Sequence, residues 1–149
     1  MLYVFALLIG VIAGLRAMTP LAAISWAAYL GWIDYTGTQV AFLGHIITVV
    51  ILTIIAIAEL VSDQLPNTPS RKVPVQFGTR IVMGALAGAL LPGSWIIGSI
   101  LGAIGAVVGT YFGADIRGRL AKSFGRDLPA ALIEDVVAVA GALLIVYLV

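Results

Sequence analysis

The sequence predicts an all-α membrane protein, a compact bundle of about five transmembrane helices in a single domain over residues 1–149. Three observations lead there. Of the 149 residues, 62% are hydrophobic and only 10% are charged, against roughly 25% charged in soluble domains. The apolar residues are gathered into uncharged runs near the length of about 20 that a spanning helix needs. The strongest turn signals and most of the charges fall between those runs.

The clearest run is Tyr35 to Ala58, where His45 is the one titratable exception. A longer uncharged run, Ile81 to Ala114, exceeds one span and is interrupted by Leu91-Pro92-Gly93-Ser94, a turn signal. It reads as a hairpin of two helices, Gly78 to Leu91 (starting a turn earlier, near Val75) and Trp95 to Ala114. Leu128 to Val149 is the last span, and it carries Glu134 and Asp135. The N-terminal third is apolar on both sides of Arg16. Thr19-Pro20 looks like an N-cap followed by proline at the first helical position. Two readings stay open, one helix broken at Met18-Thr19 or a tight hairpin; the broken helix is the expectation. No basic stretch precedes the first apolar run, so it is expected to belong to the mature protein.

Lysine and arginine are concentrated in two loops, one with Arg71 and Lys72 and one with Arg117, Arg119, Lys122 and Arg126. The positive-inside rule puts these in the cytoplasm. With five spans in a cell inner membrane, the N-terminus would be cytoplasmic and the C-terminus outside. Trp26, Tyr29, Trp32, Tyr35, Trp95 and Tyr147 would then form the outer aromatic belt.

Several function classes lack support. A net charge of +1 gives no field for nucleic acid. There is no cysteine and one histidine, so thiolate and histidine-cluster metal sites are absent. No nucleophile elbow or phosphate loop occurs. Neither an enzyme nor a cofactor is expected.

Two patterns remain. Gly98, Gly102, Gly105, Gly109 and Gly113 recur at spacings of three and four, on one helix face; Gly10 with Gly14 and Gly84 with Gly88 do the same. Small-residue stripes let backbones approach closely in lipid. Five stacked glycines point to a helix-packing or homo-oligomer face. The second pattern is ionisable: Arg16, Glu59, Asp63, Arg80, Glu134 and Asp135 lie in or beside apolar runs, where each needs a partner. Acids exceed bases, so a proton or a further cation, Lys72 or a transported one, would complete the set. Glu134 and Asp135 point about 100° apart on a helix, so they are not expected to share a partner; one of them should neutralise Arg16.

The segments Gly14-Leu15-Arg16-Ala17-Met18-Thr19-Pro20, Glu59-Leu60-Val61-Ser62-Asp63-Gln64-Leu65-Pro66 with Thr68-Pro69-Ser70-Arg71, and Glu134-Asp135 resemble, in this order, the bacterial membrane-protein family catalogued as domain of unknown function 4126. The resemblance extends over nearly the whole chain. It implies the architecture and which residues matter, and no activity. The family pattern often has lysine after the aspartate, where this chain has Gln64. Two functions follow as expectations. One is a small transporter or channel that passes a small solute or ion through the charged set. The other is a non-transporting scaffold in the lipid bilayer, with the same charges as bundle glue.

Overall fold

The computed structural model describes residues 1–65, 67 and 69–149; Pro66 and Thr68 of the motif above lie outside the described residues. Among the described residues the chain is helical without strands: α1 (Leu2–Leu15), α2 (Thr19–Tyr29), α3 (Ile46–Ser62), α4 (Pro74–Leu90), α5 (Trp95–Phe124) and α6 (Asp127–Leu148), with a 3-10 turn at Ala41–Gly44. Two helices, α5 and α6, are long and apolar enough to cross a membrane.

The first two helices are a hairpin, which corrects the broken-helix expectation. The start of α1 lies against the Gly93 turn, where Tyr3 and Leu2 approach. From there α1 runs parallel to α5, Gly105 meeting Leu7, Gly109 meeting Val11 and Gly113 meeting Leu15. At Arg16 the backbone turns extended. α2 then returns antiparallel to α3: Met18 lies on Glu59, Trp26 on Thr53 and Ala28 on Gly44. It ends where Trp32 stacks edge-on against Tyr147 and the Tyr35 hydroxyl donates to the Leu90 carbonyl. Burial of that phenol pushes its pKa up to about 12.

A second correction follows. Both termini lie at the same end of the bundle, with the 91–94 turn and the 30–45 segment. The extra reversal at Arg16–Met18 gives the bundle an even number of helices, so the termini come to one end of it and not to opposite ends, as a five-helix bundle would have them. All eight lysines and arginines lie at or near the other end, called here the basic end. Of the seven acids, Asp34 alone sits at the end with the termini.

Helix boundaries moved where local chemistry outweighed hydropathy. The Tyr35 run does not start a helix until Ile46, because Asp34 accepts from the Thr36 amide and Gly37 adopts φ +78°. His45 is therefore an N-cap, its Nδ1 accepting from the Ile47 amide at 3.3 Å. The basic stretch after Ala114 continues α5 to Phe124, supported by an Asp115–Arg119 pair one turn apart. Gly125 ends it in the left-handed region. Thr19 is the first residue of α2 and makes no capping bond, so the expected N-cap is not formed.

The core is built on glycine. Gly98 and Gly102 of α5 face the carbonyls of Gly88 and Gly84 in α4, while Gly105, Gly109 and Gly113 face α1. All five are buried. Of the two expected roles, helix packing or a homo-oligomer face, the stripe takes the first within this chain: its upper part seats α4 and its lower part α1. Close approach of two backbones at two faces is why five glycines are needed.

Candidate functional site

The hairpin tip Arg16-Ala17-Met18 is short of hydrogen-bond partners on both sides. The last carbonyls of α1 have no continuing helix, and the first amides at α2 have none before them. Neither helix supplies its own side-chain cap. Charged residues from elsewhere fill the gap. Arg80 of α4 donates through Nη1 to the carbonyls of Gly14 (2.9 Å) and Leu15 (2.7 Å). Glu59 of α3 accepts from the amides of Ala17 (2.7 Å) and Met18 (2.8 Å). A cation thus meets the negative end of α1 and an anion the positive end of α2, the favourable sense for both helix dipoles.

Arg16 itself is fully buried. Its Nε donates to Asp135 Oδ1 at 2.7 Å, and Nη2 approaches the same oxygen at 2.6 Å without hydrogen-bond alignment. Nη1 donates to Glu134 Oε1 (3.1 Å), Asp63 Oδ2 (3.0 Å) and the Leu15 carbonyl (2.9 Å). The pairing of Arg16 with the last helix is present, but with both carboxylates. Neighbours 100° apart on a helix can share a partner after all when that partner is a guanidinium. Its planar fork offers five donors, and the longer Glu134 arm swings to one side while the shorter Asp135 meets the other.

The structure brings all six sequence-predicted residues, Arg16, Glu59, Asp63, Arg80, Glu134 and Asp135, to this one place. It also adds three that the sequence reading did not put there. Arg71 pairs with Glu134 through Nη1 (2.8 Å) and Nη2 (3.1 Å). Gln64 donates to Asp135 Oδ2 at 2.8 Å. Arg117 holds the Asp63 carbonyl at 3.1 Å and grips Asp127 with Nε and Nη2. The extra cation is therefore Arg71. Lys72, one of the alternatives beside a proton or a transported cation, lies over the Tyr111 ring, 5.4 Å from its centre. Arginine suits the role because its fork can take both oxygens of one carboxylate. The excess of acids and the adjoining Ser70-Arg71 motif were the signals that could have found it.

Three guanidiniums (Arg16, Arg71, Arg80) thus face four carboxylates. Asp63 is shared, its Oδ2 also accepting from Arg80 Nη2 at 3.3 Å. Glu59 makes no ion pair within 4 Å among the described residues and is held by backbone amides. Asp63, Arg71 and Arg80 of the cluster, with Gln64, Arg117 and Asp127, line a cavity of about 500 Å³ on the basic side; Arg16, Glu59, Glu134 and Asp135 lie behind them. On the opposite side of Arg16 the packing is apolar, with Ile9, Ile12 and Ile24 buried. No group of acids or histidines able to hold a metal occurs among the described residues.

No curated protein and no solved structure matches the chain. The model of the family described as domain of unknown function (DUF4126) matches residues 4–148, and the chain belongs to that family.

Proposed function

We propose that this member of the DUF4126 family is a multi-pass inner-membrane protein that passes a small solute or ion, with the Arg16 cluster as the closed gate of a vestibule. One observation carries the reading: the 500 Å³ cavity ends directly on a cluster of charged side chains. Ionisable groups inside membrane proteins are costly, and such placement is typical of pathways. The basic end faces the cytoplasm under the positive-inside rule, which puts both termini outside. Counting 30 Å at 1.5 Å per residue from Trp95, the bilayer ends near Asp115. The cluster then sits at the inner boundary, and the last turns of α5 with the first of α6 project beyond it.

Flux into proteoliposomes over a panel of cations, anions and small organic solutes tests this. We expect uptake of at least one class, raised by Asp63→Asn, which loosens the contact shared by Arg16 and Arg80 that holds the gate closed. A correctly inserted protein that moves nothing would favour the second reading, a membrane scaffold. That reading has its own support, because each carboxylate of the cluster already has a partner.

Topology is tested separately. The chain has no cysteine, so Tyr3→Cys, Tyr147→Cys and Lys122→Cys each give a single label site. Impermeant reagent added outside should reach positions 3 and 147 and spare 122. Labelling of 3 and 147 from opposite faces would restore five spans and overturn the hairpin.

A further inference from the structure

α3 stands apart from the rest of the bundle. It packs chiefly on α2 and the 3-10 turn, and only Val49 and Ala56 of its 17 residues are buried. Between α3 and α6, floored by α2, runs a groove of about 290 Å³, lined by Thr19, Ala23, Trp26, Ala56, Ile57 and Leu143 among others. Almost all of its wall is apolar. Two of its three polar side chains are satisfied locally: Trp26 Nε1 donates to Thr53 Oγ1 at 3.0 Å, and Thr53 Oγ1 donates to the Val49 carbonyl at 2.7 Å. The third is Thr19. It is 5% exposed, and its Oγ1 has no hydrogen-bond partner. A buried hydroxyl left unmatched costs free energy, and native structures rarely keep one without reason.

We infer that this groove holds one acyl chain of a membrane glycerolipid, whose ester carbonyl accepts a hydrogen bond from Thr19. The dimensions select that occupant. Thr19 and Trp26 are seven residues apart on α2, roughly 10 Å at 1.5 Å per residue. A groove of that length and volume, open along one side, takes a stretch of hydrocarbon chain lying along it, and a helix 10–12 Å across could enter it only with side chains. The polarity runs the right way as well. Thr19 is at the end nearest Glu59 and the hairpin tip, where the bilayer boundary falls in the membrane reading above, and the Trp26 end points into the apolar interior. The inference rests on that membrane reading and is independent of transport.

The test uses Trp26 as the reporter. In protein carrying Trp32→Phe and Trp95→Phe, Trp26 is the one tryptophan left. Delipidated protein in detergent is titrated with phosphatidylethanolamine bearing a brominated acyl chain, which quenches indole on contact. We expect saturable quenching at one lipid per chain. Ala56→Phe should abolish it by filling the slot. Thr19→Val should weaken binding about fivefold, the share of one hydrogen bond, while leaving the lipid-free thermal midpoint unchanged or higher. That second readout separates ligand binding from a structural role. Linear, unsaturable quenching equal in the Ala56→Phe protein would overturn the inference. So would disulfide-linked dimers through Leu143→Cys that form in native membranes and block the lipid. Failure of the membrane reading would show differently, as protein that washes off membranes at alkaline pH.

Discussion

Gly102→Leu should leave no folded protein, whereas Ile100→Leu should be close to neutral. Gly102 is pressed from two sides at once: its own missing side chain faces the Gly84 carbonyl and Gly88 Cα of α4, and its carbonyl faces Gly10 of α1. A Cβ alone would overlap backbone, which cannot swing aside as a side-chain tip can. Overpacking ordinarily costs about 1–3 kcal/mol, occasionally more; here two helices would have to separate, so the upper end or beyond is expected. Ile100 is 55% exposed on the opposite face and loses little by a change of branching. Thermal unfolding in detergent, followed by far-ultraviolet circular dichroism, distinguishes them. Gly105→Leu should resemble Gly102→Leu, since it meets the Leu7 carbonyl. A similar fall for Ile100→Leu would mean that the glycine contacts are not what limits stability.

Arg16→Gln should be the most damaging single change at the charged cluster, by about 3–5 kcal/mol, the usual cost of stranding one side of a buried ion pair. The reason lies in the count. Arginine keeps its proton under nearly all conditions, so Arg16 steadily holds Asp63, Glu134 and Asp135. Its removal leaves Arg71 and Arg80 against four carboxylates. Asp135→Asn should cost less, because Glu134 and Asp63 still hold the guanidinium. The double variant should fall short of the sum of the two, since each change removes a contact that the other already lost. Denaturant titration of the four proteins measures the coupling. Strict additivity would show that the Arg16–Asp135 contact contributes nothing.

How far the sequence could be read varied with how local the information was. The α4–α5 hairpin, the start of α5 and nearly the whole of α6 follow from apolar runs and a Pro-Gly turn, signals contained within a few residues. The reversal at Arg16–Met18 does not. Three residues suffice for it because Arg80 and Glu59, far along the chain, satisfy the backbone groups it exposes. Nothing near position 16 announces them. The six charged residues were legible from cost alone, as expensive groups in apolar surroundings. Arg71 was missed because a loop arginine looks like ordinary solvated charge. The glycine stripe said that a backbone comes close, without saying whose. Membership of the DUF4126 family agrees with this extent, since the family match covers residues 4–148.

The contacts of Arg16 also bear on the order in which the molecule can be completed. Its partners Glu134 and Asp135 lie 118 and 119 positions later in the chain. During synthesis the N-terminal hairpin therefore emerges with its central cation unmatched. It gains Asp63 once α3 has been made, but its two partners on α6 come only with the last of four further helices. Pairings this distant carry a large loop-closure cost and form late. The first two helices cannot settle as an independent unit, and a chain that stops before α6 keeps Asp63 as Arg16's one carboxylate. The N-terminus and the C-terminal helix are, in this sense, a single folding event.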